Sequence, residues 1–197
     1  MKLLLPLGSC YGAAVANVTW TKIARRIRVP LGFAFTALYL WLARPTVASM
    51  LIGSALIIPG LAIRALASGH VQKNEQLTTT GPYTYTRNPL YLGSLILAVG
   101  FAIAARNWWI GAALILIFLA IYLPVIRGEE SFLGEHFPEF AEYARQVPRL
   151  LPRLTSFESG RGAFSWDLYW KHREYNATLG AVAMLAVLTA KLLWIRR

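Results

Sequence analysis

The sequence carries little charge and almost no cysteine. Charged residues make up 15% of the 197 positions, and only nine of them are acidic. A soluble domain of average composition has about 25% charged residues, so a water-soluble fold is not expected. The lone Cys10 excludes an internal disulfide and a cysteine-cluster metal site. The histidines also lack metal-ligand spacing, and no nucleophile stands beside a base, so neither a metal nor a covalent intermediate is predicted.

Apolar sequence is what the chain has in abundance. Hydrophobic residues make up 56% of the positions, and the mean hydropathy is +0.47. This length can supply about five or six membrane spans. The net charge of +11 also suggests nucleic-acid binding. The basic residues, however, stand at the ends of apolar segments, where they attract anionic lipid headgroups and set topology.

The apolar segments predict an all-α, polytopic membrane protein with about five transmembrane helices. They lie at residues 29–43, 47–67, 90–104, 108–126 and 177–195. Pro59 predicts a kink in the second segment, and Arg64 near its end is expected to reach the interface with its long side chain. The link between the third and fourth segments is so short that they form a helical hairpin. The last segment, interrupted by Lys191, is either a fifth span or an interfacial helix.

Residues 3–20 allow two interpretations. A basic start, an apolar run and small residues suggest a signal peptide, but Pro6 interrupts the run. We favour a retained helix or partial span.

The distribution of lysine and arginine predicts the orientation. Fifteen of the twenty lie before the first clear span, around the connection at residues 64–87, or in residues 127–173. The two short turns carry one each, Arg44 and Arg106. Because positive residues accumulate in cytoplasmic loops, the connection and the later polar stretch are expected in the cytoplasm and Arg106 on the opposite side. The basic residues near the C-terminus disagree with this rule if the last segment spans.

Residues 81–93, GPYTYTRNPLYLG, form the first of two polar motifs at a membrane edge. An ionisable residue there is costly, which makes it a functional-site hypothesis. Gly81-Pro82 indicates a turn, and Asn88-Pro89 indicates a helix start with Asn88 as its N-cap. The free N–H groups and positive dipole of a helix start suit a carboxylate. The alternative is an ordinary capped membrane helix with an interfacial aromatic belt.

The second polar motif, EESFLGEHFPEFAEYARQVPRLLP, covers residues 129–152 and holds five of the nine acidic residues. Its carboxylates can accept hydrogen bonds from a ribose or an adenine amine and can offset a sulfonium charge. Apolar residues recur at helical spacing from Phe132 to Tyr143, which predicts one amphipathic helix on the membrane or over a pocket. Val147-Pro148 ends this helix. The alternative is a solvated connector whose acids face water.

Together, the order and spacing of the two motifs and the hairpin between them resemble the isoprenylcysteine carboxyl methyltransferase and phospholipid methyltransferase family of integral membrane enzymes. The resemblance runs from about residue 68 to residue 154. It implies S-adenosylmethionine as cofactor, bound outside a Rossmann framework between the polar segments and the ends of the last helices. We expect N-terminal membrane helices in residues 1–67, a methyltransferase core in 68–157, and a linker with a C-terminal membrane helix in 158–197.

The resemblance also implies site residues. Arg87 and Glu130 are expected to be catalytic, since an arginine holds a carboxylate acceptor and a carboxylate base serves an amine acceptor. The cofactor is expected to contact His70, Tyr83, Asn88, Pro89, Tyr91, Leu92, Glu129, Glu130, Tyr143 and Arg149. For His70, a surface position at a helix end is an equally open alternative. His136 and His172 are interpreted as surface residues.

The implied activity is methylation of a lipidic or hydrophobic acceptor in the bacterial inner membrane, as in isoprenylcysteine carboxyl O-methyltransferases. Asn88 stands where those enzymes usually have histidine, so the chain looks more like the phospholipid and bacterial branches. A phospholipid N-methyltransferase is therefore an alternative. A steroid-reductase-like enzyme using NADPH and a non-enzymatic membrane scaffold are two more. The expected partners are membrane lipids and not nucleic acid.

Overall fold

A computed structural model describes residues 32–72, 76–157 and 162–195, and within them the chain is helical with no strand. The predicted all-α class is confirmed. The helices are α1 (Gly32–Leu42), α2 (Val47–Ser68), α3 (Pro89–Ala105), α4 (Trp108–His136), α5 (Phe140–Gln146), α6 (Trp166–Lys171) and α7 (Tyr175–Ile195), with a short 3₁₀ turn at Gly81–Thr84. The predictions for residues 3–20 and for the start of the first apolar segment lie outside the described residues.

Three of these helices are long and apolar enough to cross a membrane. They are α2 with 22 residues, α4 with 29 and α7 with 21, while α1 and α3 are shorter apolar helices. The five predicted apolar segments therefore each correspond to an apolar helix. The bounds of α2 and α3 agree with the predicted segments to within one residue at each end.

Helices α2 and α3 pack antiparallel along a seam of paired glycines. The amide of Arg44, just before α2, donates to the carbonyl of Ala105 at the end of α3, at 2.9 Å. Further along, a Cβ on Gly53 would lie 2.6 Å from the carbonyl oxygen of Gly100. At the other end of the seam, a Cβ on Gly93 would lie 2.8 Å from the carbonyl oxygen of Gly60. Small residues let two backbones approach this closely.

Helix α4 is longer than predicted. The expected span ends at residue 126, but the helix continues to His136 and carries the first part of the second polar motif on its last turns. Its middle, Phe118–Tyr122, is a π-helical turn just before Pro124. Proline has no N–H to donate to the preceding turn and its ring crowds the carbonyl there, which accounts for the widening. The π-helical turn presents the Tyr122 ring to that of Tyr91, with centroids 5.9 Å apart.

The single amphipathic helix predicted through Tyr143 is wrong. The chain leaves helix after His136, and α5 starts at Phe140. Pro138 lies in the gap, and proline disfavours helical geometry at the residue before it and removes a backbone donor. The aromatic residues still share one apolar core, which contains Phe140, Tyr143, Val147, Leu77, Leu133, Phe137, Ala144 and Phe157.

Helix α7 runs the length of the helical bundle. Near its start, Glu174 pairs with Arg64 close to the end of α2. Near its end, the Lys191 ammonium donates to the carbonyl of Leu40 at 2.5 Å, which caps the last turn of α1. The geometry therefore fits the spanning alternative for this segment. The guanidinium of Arg64, which was expected to reach the interface, is bound by Glu174 at this end of the bundle.

These contacts define two ends of the bundle. The motif end carries Ser68, Asn88 and Glu174, and the hairpin end carries Arg44 and Arg106. A hydrophobic core closes the hairpin end, with Tyr39, Ala43, Ala104, Ala105, Ile110 and Leu188 at its centre.

Candidate functional site

The two polar motifs are joined by backbone hydrogen bonds at the motif end. The amide of Arg87 donates to the carbonyl of Pro148 at 3.0 Å. The amide of Arg153 donates to Tyr85 and that of Phe157 to Thr84, both at 3.0 Å. Segments that are separate in sequence therefore form one unit, and its geometry is set by main-chain contacts.

Three side chains from these motifs surround the buried carboxylate of Glu130, and we call Arg87, Asn88, Arg149 and Glu130 the Glu130 cluster. Glu130, on α4, is 8% exposed. Its Oε2 accepts from Nε and Nη2 of Arg149, each at 2.8 Å. Its Oε1 accepts from the side-chain amide of Asn88 at 3.0 Å and lies 3.6 Å from Nε of Arg87. A buried carboxylate needs such partners, because an isolated buried charge is costly.

Arg87 is the incompletely bound member of the cluster. Its side chain is 13% exposed, and Nε is buried without a hydrogen-bond partner among the described residues. The guanidinium carbon lies 5.9 Å from the centre of the Phe140 ring, within range of a cation–π contact. Two guanidinium groups thus face one carboxylate, so the cluster has one excess positive charge. Such a cluster can accept an anion.

Asn88 does not cap α3 as predicted. It occupies the N-cap position, but its side chain makes no capping hydrogen bond to the helix. The amide group donates instead to Glu130 and, at 2.9 Å, to the carbonyl of Arg149. Pro89 follows as the buried first residue of α3. The positive dipole end of α3 therefore lies beside the cluster, and the side chain of Asn88 does not cap it.

Two buried tyrosines support the cluster from α5 and the 3₁₀ turn. The Tyr143 hydroxyl donates to the carbonyl of Tyr83 at 2.7 Å. Burial raises the pKa of the Tyr143 phenol, an effect that Arg87 opposes and Glu130 reinforces. Burial is also the main cause of the raised pKa of Tyr83. Both side chains are therefore neutral near pH 7, and Tyr143 stays a hydrogen-bond donor.

Other predicted site residues lie outside this cluster. Glu129 is exposed, because neighbouring residues of a helix point about 100° apart and only Glu130 faces inward. Tyr91 packs on Tyr122 of α4, and Leu92 is half-buried in the first turns of α3. The paired acids expected from the sequence are thus one buried and one exposed residue.

His70 lines a separate polar cavity. The cavity has a volume of about 650 Å³ and is lined by His70, Gln72, Gln76, Leu77, Thr78, Thr79, Thr80, Gly162, Ala163, Ser165 and Leu168. Nδ1 of His70 lies 2.7 Å from the carbonyl of Leu66, to which it donates a hydrogen bond; in the neutral ring this leaves Nε2 as an acceptor. A Cβ on Gly81 would lie 2.6 Å from this Nε2. The lining offers uncharged donors and acceptors and suits a neutral polar group.

Sequence reasoning missed the part played by residues 165–174. The amide of Ser165 donates to the carbonyl of Gly69 at 2.9 Å. His172, interpreted as a surface residue, is half-buried, with Nδ1 3.1 Å from the carbonyl of Ser68. The only signal was Glu174, one of few acids in the chain, at the start of an apolar segment. The position of Glu174 in the sequence does not indicate that Arg64 is its partner.

Comparison with known families gives one match over half of the chain. The sequence model of the phospholipid methyltransferase family matches residues 38–139. This range includes the first motif and the first part of the second. No solved structure shows a significant match.

Several curated proteins are similar over about half of the chain. The cobalt-zinc-cadmium resistance protein CzcN of Cupriavidus metallidurans is 41% identical over 98 residues, covering 50% of this chain and 44% of the relative. The nickel-cobalt-cadmium resistance protein NccN of Alcaligenes xylosoxydans xylosoxydans is 41% identical over 88 residues, covering 45% and 41%. The protein-S-isoprenylcysteine O-methyltransferase of Schizosaccharomyces pombe is 27% identical over 102 residues, covering 51% and 43%. The chain thus spans less than half the length of each of these relatives.

Proposed function

The chain belongs to the phospholipid methyltransferase family and is an integral membrane protein, and from this premise we propose that it is an S-adenosylmethionine-dependent methyltransferase acting on a hydrophobic acceptor. The observation that carries the proposal is the Glu130 cluster at the start of α3. Two arginines share one buried carboxylate there, and Arg87 has an unused buried N–H.

The cluster fits the charged end of this cofactor. The amino-acid part of S-adenosylmethionine has a carboxylate, and Arg87, Arg149 and the positive dipole end of α3 would hold it. Oriented guanidinium and N–H donors bind carboxylates through short charge-assisted hydrogen bonds. Glu130 would hold the two arginines in place and would not contact the cofactor through its saturated Oε2.

The cavity at His70 fits the uncharged end. Its threonine, serine and glutamine side chains and the imidazole acceptor can bind hydroxyl and base groups such as those of a nucleoside. The cavity adjoins Gly81, the first residue of the first motif. Tyr83, Tyr91 and Leu92 of that motif, and the exposed Glu129, would complete the surroundings of the cofactor.

The bound cofactor supplies a methyl group on a positively charged sulfur. The protein's task is then to hold an acceptor in line with that methyl group and to exclude water. If the acceptor is a carboxylate, Arg87 would orient it and Arg149 would hold the cofactor carboxylate. If the acceptor is an amine, a carboxylate base is needed. Because the site lies at the ends of apolar helices, the acceptor would enter from the bilayer, which favours a lipidic molecule.

The names of the relatives and of the family indicate which classes of acceptor to consider. One relative methylates a prenylated cysteine according to its name, and the family name points to phospholipids. We propose an O-methyltransferase resembling the first, with a phospholipid N-methyltransferase as the alternative. The motif end would face the cytoplasm of a bacterial inner membrane, in line with the excess of basic residues around it.

Ligand binding to the purified protein in detergent tests the proposal. Calorimetry with S-adenosylmethionine should give saturable binding, whereas NADPH should not bind. Radiolabelled cofactor should then transfer its methyl group to a component of a bacterial lipid extract. Binding of NADPH without S-adenosylmethionine would favour a reductase, and binding of neither would leave a non-enzymatic scaffold.

A further inference from the structure

A second, partly buried ion pair lies at the motif end, outside the Glu130 cluster. Nε of Arg64 on α2 lies 2.6 Å from Oε1 of Glu174, and the side chains are 23% and 10% exposed. Nη1 of Arg64 contacts the hydroxyl of Ser94 and lies 3.5 Å from the carbonyl of Leu90. One guanidinium therefore joins α2 to the first turns of α3 and to the start of α7.

The protein makes room for this arginine. A Cβ on Gly93 would lie 2.6 Å from Cγ of Arg64, so a larger residue in the first motif would displace the side chain. A charge in an apolar helix is costly unless it is paired, and removing one partner of a buried pair is strongly destabilising. Gly93 and Glu174 together offset the cost of placing Arg64 here.

The chain also adopts a strained conformation to deliver Glu174. The preceding residue, Arg173, has φ of 53°, in the left-handed region that side chains disfavour. The contacts of His172 with Ser68 and of Ser165 with Gly69 wrap the same segment around the end of α2. Backbone strain of this kind persists only where surrounding contacts enforce it.

The pair acts on the same helix start that borders the Glu130 cluster. Arg64 holds Leu90 and Ser94, and α3 begins at Pro89, directly after the cluster residue Asn88. The charge of Glu174 also reaches the Tyr83 phenol, whose pKa is raised mainly by burial and to a smaller extent by Glu174. A displacement of the Glu174 side chain would therefore alter the contacts at the start of α3.

We propose that Glu174 is a positioning residue of the methyl-transfer site, acting through Arg64 to fix the start of α3. Residues 165–174 lie beyond the range 38–139 that the family model matches, so the family match alone does not include this contact. The inference rests on the proposed function. It assigns Glu174 no contact with cofactor or acceptor.

Four variants of the full chain in lipid nanodiscs test it. Glu174→Gln removes the charge, and Glu174→Asp retains it on a shorter side chain. The double variant Arg64→Glu with Glu174→Arg exchanges the charges. Lys191→Met is the control, because it removes a charged contact of the same helix at the hairpin end. The readouts are hydrogen exchange of the amides of residues 90–94, the dissociation constant for S-adenosylmethionine, and thermal stability.

Glu174→Gln should speed exchange at residues 90–94 and raise the dissociation constant at least about fivefold, the effect of one lost hydrogen-bond equivalent. Glu174→Asp and the exchanged pair should recover binding at least in part. Lys191→Met should lower thermal stability but change neither hydrogen exchange at residues 90–94 nor the dissociation constant. If Glu174→Gln affects exchange and binding no more than Lys191→Met, the pair is only a structural contact and the inference is overturned. Failure of the wild type to bind S-adenosylmethionine would refute the proposed function, while hydrogen exchange would still decide whether Glu174 positions α3.

Discussion

Glu130 and Arg149 meet through two contacts of 2.8 Å, and both go to the same carboxylate oxygen. The other oxygen is thereby left to Asn88 and Arg87 of the first motif. One carboxylate thus connects the two polar motifs, and each motif depends on it for the orientation of an arginine. The charge of Glu130 is used inside the protein, and the surplus positive charge is what the site can offer a ligand.

Neutralising Glu130 should weaken binding of S-adenosylmethionine. Glu130→Gln keeps the shape but loses charged hydrogen bonds to Arg149, worth about 1.5 to 3 kcal/mol, so a tenfold or larger rise in dissociation constant is expected. Calorimetry in detergent measures it. Glu135→Gln is the matched control, since this residue of the same helix is exposed, lies outside the proposed site and should change affinity little. Equal effects of the two variants would mean that the buried cluster has no part in binding.

Arg87 should matter more for turnover than any arginine at the hairpin end. Arg87→Lys replaces a planar guanidinium with a single ammonium that cannot make a two-pronged contact, and methyl transfer should fall at least about tenfold. Arg106→Lys, at the hairpin end, should leave the rate unchanged. Transfer of label from the cofactor to lipid extract measures both. Equal activity of the variants would reduce Arg87 to a topology-setting charge.

The glycine seam should not tolerate a methyl group. Gly93→Ala would place a Cβ 2.6 Å from Cγ of Arg64 and 2.8 Å from the carbonyl oxygen of Gly60, so α2 and α3 must separate. The expected loss of stability is about 1 to 3 kcal/mol, as for other overpacked sites. Thermal unfolding in detergent checks it. In Gly111→Ala the new Cβ meets nothing within 4 Å, and this variant should be at least as stable as wild type.

Arg106 should be more favourable as glycine. Its φ of 51° lies in the left-handed region at the end of α3, where glycine carries no steric penalty. Arg106→Gly should therefore stabilise the protein by about 1 kcal/mol. Arg145→Gly, at an exposed position inside α5, should instead destabilise it by about 1 kcal/mol. A loss of stability in both variants would indicate that Arg106 makes a contact that offsets its backbone strain.

Cysteine labelling should place the two ends of the bundle on opposite sides. In a Cys10→Ser background, Arg145→Cys should react with a membrane-impermeant reagent from the cytoplasm and Arg106→Cys from the other side. Both positions are exposed, so reactivity reports the side. If Arg106→Cys labelled only from the cytoplasm, the orientation proposed from the basic residues would be reversed.

The sequence was sufficient for the helices of the bundle and for most of the cluster. Apolar length alone predicts α2 and α3, because a span needs a fixed number of residues whatever it packs against. The motifs brought Arg87, Asn88, Glu130 and Arg149 together as a set. Pro138 indicates a break, but the aromatic residues on both sides of it keep helical spacing, which favours one continuous helix over the two that form.

Other features depend on geometry that no local pattern contains. The choice of Glu130 over Glu129 depends on the rotation of α4, and the π-helical turn at Phe118–Tyr122 shifts that rotation by about 100° relative to a regular helix. The pairing of Arg64 with Glu174 joins positions 110 residues apart in the chain. The length of an apolar segment indicates that it crosses the membrane. It does not indicate which side chain will pair with a charged residue in that segment.

This separation of 110 residues has a consequence for biogenesis. The ribosome delivers Arg64 to the membrane well before Glu174 exists, so α2 must be held for a time with an unpaired guanidinium. Chain segments synthesised first generally fold first, and the glycine-paired α2 and α3 can associate in that interval. Only emergence of the last helix neutralises the arginine. A nascent chain stalled before that point would carry the Arg64 guanidinium without the carboxylate that neutralises it.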